Sequence, residues 1–144
     1  NTVQTRASTN TLITDNAVIP GTWAFINKSS GQGSSLDGFY LVEYKRDTNG
    51  SSGDYMVTVL INATNSSRNI QVNDVVCKLP SGYRPGTESS GMAFAPIFGL
   101  VNSNNHTATA TCMIQADGSI KFIEVDGSSK TFYGQVTFST KSSS

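Results

Sequence analysis

The sequence has little charge and no excess of either sign. Charged residues make up 14% of the 144 residues, and ten Lys and Arg balance ten Asp and Glu, whereas an average domain has about 25% charged residues. A chain without a basic excess is not expected to bind nucleic acid or an anionic membrane. No apolar run approaches the roughly 20 residues that a membrane-spanning helix needs, so membrane insertion is not expected.

Catalytic and metal-binding patterns are also missing. There is one histidine, His106, and the two cysteines, Cys77 and Cys112, form no ligand motif with it, so no metal and no cofactor are expected. The Asp residues lie mainly in predicted turns, where they usually cap the backbone. Glu43 and Glu124 lie inside predicted strands and would have to meet across a sheet to act as a glycosidase pair. Nothing in their spacing requires this, and the chain is predicted not to be an enzyme.

The two cysteines lie on the apolar sides of alternating runs. Cys77 shares a face with Leu79, and Cys112 shares a face with Ile114. Two interpretations stay open from this pattern. The thiols are either buried and pack like small apolar side chains, or they form a disulfide between neighbouring strands.

Hydroxyl and amide side chains replace the missing charge, since Ser, Thr and Asn supply 48 of the 144 residues. No stretch shows the 3.6-residue period of a helix, whereas alternation with a period of two recurs along the chain. The alternating runs cover residues 39–46, 55–61, 70–79, 91–101, 107–115, 120–125 and 132–139. Short strands at this spacing predict an all-β, antiparallel sandwich or barrel of jelly-roll type.

The chain is divided into an N-terminal segment, residues 1–35, and a β head domain, residues 36–144. The first part is expected to be either a shaft or connector or a source of further strands. Residues 91–101 are apolar on both strand faces, with Phe94 near the centre and Pro96 inside the run. Proline favours an edge strand or a bulge, and the extra apolar face favours packing against another subunit. The alternative is that the N-terminal segment covers that face.

A polar loop between two apolar runs holds the first candidate binding residues, Asn104, Asn105 and His106. It is either an ordinary exposed hairpin tip or a sugar contact, because amide and imidazole groups exchange hydrogen bonds with hydroxyls in both directions. Trp23, Tyr83 and Tyr133 are the candidate rings for stacking on a sugar.

Three short sequence motifs follow one another in the second half of the chain. They are Leu-Pro-Ser-Gly-Tyr-Arg-Pro at 79–85, Ala-Asp-Gly-Ser-Ile-Lys-Phe at 116–122 and Tyr-Gly-Gln-Val at 133–136. With the strands around them, over residues 38–140, they resemble the C-terminal head domains of tailed-phage receptor-binding proteins and tail fibres, especially those of lactococcal phages. The resemblance implies a homotrimeric β head at the tail tip on the virion surface, other tail or baseplate proteins as partners, and a bacterial surface saccharide as the receptor.

The resemblance does not carry the sugar site across residue by residue. Lactococcal heads use His and Asp before the Asp-Gly hairpin and Trp after it, and this chain has Thr111, Met113 and Phe122 there. The resemblance therefore implies a different receptor or a different place on the head. The candidate saccharide contacts are Asn104, Asn105, His106, Thr111, Phe122 and Tyr133. The alternative functions are a structural virion decoration without a receptor, and a secreted carbohydrate-binding module.

Overall fold

A computed structural model describes residues 21–48, 55–87, 93–103 and 105–140 of the chain. The described residues form eight antiparallel strands. The strands are β1 (Ala24–Asn27), β2 (Tyr40–Thr48), β3 (Tyr55–Thr64), β4 (Val75–Lys78), β5 (Ile97–Asn102), β6 (Thr109–Ile114), β7 (Ser119–Asp126) and β8 (Thr131–Ser139). The described ranges contain no helix that is long and apolar enough to cross a membrane. The prediction of an all-β antiparallel fold is confirmed.

All eight strands belong to one sheet, in the order β1-β2-β3-β8-β5-β6-β7-β4, which curls into a nearly closed barrel. The chain that follows β1 runs beside β4 at the other end of the sheet. There the Ser35 amide donates to the Val75 carbonyl at 2.9 Å, and the Lys78 amide donates to the Gln32 carbonyl at 3.1 Å. This segment brings the two ends of the sheet together and supplies hydrogen bonds that an open edge would lack.

The seven alternating runs correspond to β2 to β8, with two differences. The run 70–79 forms a strand only at β4, and among the described residues of the run 91–101 the strand is β5. Pro96 lies directly before β5, where its carbonyl accepts from the Ile114 amide at 3.2 Å. The alternative of an edge strand is wrong for β5 as a whole, since β5 lies between β8 and β6, but its pairing with β8 is confined to Val101 and Asn102. β1 comes from the segment 1–35, and residues 1–20 lie outside the described residues.

The barrel interior is filled by the inward positions of the alternating strands. Phe122 and Phe132 are fully buried, with ring centroids 5.8 Å apart. Cys77 and Cys112 are also buried, and both are free thiols. β7 lies between their strands, so the two cysteines are not neighbours and the disulfide alternative is wrong. Burial raises the pKa of Cys77 to about 12, which keeps this thiol protonated.

Two carboxylates anchor the loop between β3 and β4. Asp74 is buried and receives a bidentate hydrogen bond from Arg68, at 2.7 and 2.8 Å, and one from the Gln71 amide at 2.8 Å. Burial by itself raises the pKa of Asp74, but these hydrogen bonds outweigh it and hold the pKa below 3.8. Asp37 is exposed, and hydrogen bonds from the Ser67 side chain and the Ser66 amide lower its pKa to about 2.

Acid is therefore expected to destabilise the fold between about pH 4 and pH 2. Both carboxyls have a folded-state pKa below the ordinary Asp value of 3.8. The folded state therefore binds fewer protons than the unfolded state, and the stability that these carboxylates contribute is lost as the pH falls. Urea unfolding at pH 6, 4, 3 and 2.5 measures this loss. Asp37→Asn should be less stable than the parent at pH 6 and should approach it at pH 2.5. Parallel curves over the whole range would contradict the role of Asp37.

Candidate functional site

A shallow groove of about 470 Å³ lies on the outer face of β2, β3 and β8. Strand pairing places six outward side chains there in two rows. The rows are Leu41–Asn62–Tyr133 and Glu43–Leu60–Gln135. Because side chains alternate along a strand, the residues between them on β2 and β3 point into the core. The groove is therefore formed by the positions that the barrel interior does not use.

The groove combines a partly apolar floor with unpaired polar groups. Leu41 and Leu60 are half-buried and supply the floor. Within the described part of the chain, the side chains of Glu43, Asn62 and Gln135 have no hydrogen-bond partner. A carboxylate accepts hydrogen bonds, and amides both donate and accept. This arrangement suits a ligand with many hydroxyls and an apolar face.

The loop after β5 lies near Tyr133, because Val101 at the end of β5 pairs with Tyr133. His106 Nδ1 lies 3.4 Å from the Tyr133 hydroxyl, and the two rings meet edge to face with centroids 6.0 Å apart. Asn105 Oδ1 accepts hydrogen bonds from Nδ2 of the Asn102 side chain and from the Thr107 hydroxyl, both at 2.7 Å. Asn105 thus holds the loop that carries His106 against Tyr133.

Three of the six predicted contacts are brought together in this way, namely Asn105, His106 and Tyr133. Asn104 lies outside the described residues. Thr111 is half-buried on β6, opposite Gly99, and β5 separates it from Tyr133.

The prediction that Phe122 contacts a saccharide is wrong. Its side chain has no exposed surface, so it cannot touch a saccharide. The register between β6 and β7 shifts at Thr111 and Cys112, so that Thr111 pairs with Glu124 while Cys112 pairs with Phe122. Such a bulge sets two residues against one, and here Phe122 and Cys112 both face the core.

The other candidate rings lie apart from the groove. Tyr83 is buried and packs edge to face on Tyr44, with centroids 4.6 Å apart. Trp23 is 44% exposed, and Lys45 Nζ lies 5.1 Å from its ring.

Sequence reasoning missed the groove's remaining residues, although the alternation marked them as outward. What the sequence did not show was which outward residues lie side by side. Glu43 lies in the groove on β2, whereas Glu124 lies on β7, which is not adjacent to β2 in the sheet.

Comparison with known proteins finds a similar fold among solved structures but no match at the level of sequence. No protein-family model and no curated protein matches the chain. Among solved structures, it is similar to the receptor binding protein (gp15) of Listeria phage PSA, with a TM-score of 0.51 and 11% sequence identity. The match covers 97% of this chain and 76% of that protein. The likeness shows a shared fold, and the expected similarity to phage receptor-binding heads is supported at that level, without a specific link to lactococcal phages.

Proposed function

We propose that this chain is the head domain of a phage receptor-binding protein, in a tail fibre or baseplate, that attaches the virion to a saccharide on the bacterial surface. The observation that carries the proposal is the fold likeness to a phage receptor binding protein, which extends over nearly the whole chain. Since one fold can serve many functions, the proposal also depends on a suitable site.

The groove supports a saccharide as the ligand. Asn62, Gln135 and Glu43 offer donors and acceptors to sugar hydroxyls, and the ring of Tyr133 is 37% exposed beside them. Aromatic rings pack against the apolar faces of sugars while their polar edges stay hydrated. The formal net charge of zero fits a neutral glycan, for which long-range attraction has little effect.

A homotrimer is part of the same proposal. Phe94 and Ile97 are 51% and 64% exposed, close together around the start of β5. Exposed apolar side chains of this size favour burial against another copy of the chain. Three copies would present three grooves, and simultaneous contacts raise weak sugar binding by about 100-fold or more when the geometry allows them.

Binding to whole cells tests the proposal. The labelled full chain is incubated with a panel of Gram-positive strains, with free cell-wall polysaccharide as the competitor. Retention on at least one strain is expected. Tyr133→Ala should lower it about tenfold by removing the ring, and Glu43→Gln should do so by replacing one carboxylate oxygen with an amide donor. Glu124→Gln is the matched control, because it makes the same chemical change on β7 outside the groove, and it should bind like the parent.

The competing functions give different results. A stable trimer that no strain and no glycan library retains would indicate a structural virion component. A monomer that binds a soluble glycan would favour a secreted carbohydrate-binding module. Equal loss of binding in the Glu43 and Glu124 variants would exclude the groove as the site. Glycan cleavage that disappears in Glu43→Gln would contradict the proposal that the chain has no enzymatic activity.

A further inference from the structure

A second depression, of about 430 Å³, lies at the seam where β1 and β4, the two ends of the sheet, come together. It is separate from the groove and shares none of its residues. Its lining combines apolar surface with two cations. The principal residues are Phe25, Tyr44 and Pro80 on the apolar side, and Gln32, Lys78 and Arg84 on the polar side.

Among the described residues, Arg84 makes one hydrogen bond with its side chain. Its Nε donates to the Leu79 carbonyl at 2.8 Å, and no described residue pairs with its two terminal amino groups. The backbone of Gly118 packs closely against it, since a Cβ at that glycine would lie 2.8 Å from Nε. A guanidinium fixed by one hydrogen bond keeps its planar pair of terminal donors available for an anion.

Lys78 supplies the second cation. Its Nζ lies 3.5 Å from Asp117 Oδ2, and the two side chains are 43% and 53% exposed. Exposed ion pairs of this kind are weak, about 0 to 1 kcal/mol, so Lys78 can turn towards a stronger ligand. Asp117 is also engaged by the Ser119 amide at 2.9 Å. None of the described residues that line the depression is a carboxylate, so with Lys78 paired to Asp117 the charge of Arg84 is left in excess.

We propose that the seam depression binds a phosphate ester or phosphodiester of a polyol or sugar. The terminal donors of Arg84 fit two phosphate oxygens, and Lys78 fits a third as a point charge. The Gln32 side chain adds a donor for a hydroxyl, and Phe25, which is 61% exposed, covers the carbon chain. A chain whose formal net charge is zero would then carry a cationic recognition point separate from the groove, which holds the carboxylate of Glu43.

The test is an NMR titration of the full chain, labelled with ¹⁵N, at low salt. Glycerol 1-phosphate is the probe, with glycerol and inorganic phosphate as the comparison ligands. The ester should shift the amide signals around the seam and bind at least fivefold more tightly than either comparison ligand. Binding should weaken as sodium chloride is raised, because the contact is ionic. Equal binding of inorganic phosphate would mean an adventitious ion only and would overturn the proposal.

Variants locate the site. Lys78→Gln should weaken ester binding at least fivefold, and Arg84→Lys, which retains a positive charge, should also weaken it by removing the paired donors. Lys130→Gln is the control, because Lys130 is an exposed cation outside the depression, and its effect should be less than twofold. Unchanged binding in a folded Lys78→Gln variant would overturn the proposal. The measurement involves no cells, so its outcome is independent of whether the chain attaches to bacteria.

Discussion

Phe122→Ala is expected to lower the free energy of unfolding by about 4 kcal/mol, the usual cost of removing a fully buried aromatic side chain. Phe122 has no exposed surface and packs on Phe132. The lost ring contacts leave a cavity that the strands on either side cannot fill, because β7 is paired with both β6 and β4. Urea unfolding followed by circular dichroism measures the change.

Phe25→Ala is the matched control, because Phe25 is 61% exposed on β1. Its effect on stability should stay within about 0.5 kcal/mol, as is usual for a surface position. A Phe122→Ala variant that keeps its stability but loses cell binding would contradict the burial of this ring. It would then restore Phe122 as a saccharide contact.

Gly118→Ala should destabilise the chain by about 3 kcal/mol, from backbone strain together with a steric clash. Gly118 has a φ of +89°, and a Cβ there would lie 2.4 Å from the Leu79 carbonyl oxygen. Leu79 cannot withdraw easily, because its amide donates to the Gly118 carbonyl at 2.9 Å. The variant should unfold at lower urea, with the slope of the transition unchanged.

Gly99→Ala is the control for this substitution. Gly99 has no positive φ, and the nearest atom to an added Cβ is the Ala110 carbonyl oxygen at 3.9 Å. The free energy of unfolding of this variant should stay within about 1 kcal/mol of the parent value, because a glycine inside a strand has a backbone conformation that alanine can also adopt. If both variants lost the same amount of stability, neither the positive φ of Gly118 nor its closeness to the Leu79 carbonyl would account for the effect.

Most of the fold could be predicted from local sequence patterns. The alternation in residues 55–61 places Val57 and Val59 inward, and both are fully buried in the structure. Asp117 and Gly118 predicted the turn between β6 and β7, because this pair suits a positive φ. The closing of the barrel could not be predicted, because it depends on backbone hydrogen bonds from Ser35 and Lys78 that no side-chain pattern encodes.

The candidate site was harder to predict, because it depends on pairing between distant strands. Tyr133 was identified from its outward position, but Asn62 becomes its neighbour only through the register of β3 with β8. Phe122 was misassigned because the resemblance set it at the position of a saccharide-binding Trp, whereas on β7 it shares the inward side with Ile120, and both side chains are fully buried.

The central position of β8 has a consequence for how the protein is made. β8 lies between β3 and β5, so within the one sheet it joins the first three strands to the group of β5, β6, β7 and β4. The hydroxyls of Thr64 and Thr131, which meet across β3 and β8 at 2.9 Å, are 67 residues apart along the chain. A ribosome must therefore release residues 131–139 before β8 can connect β3 to β5, and until then each of these two strands presents an unpaired edge to other nascent chains.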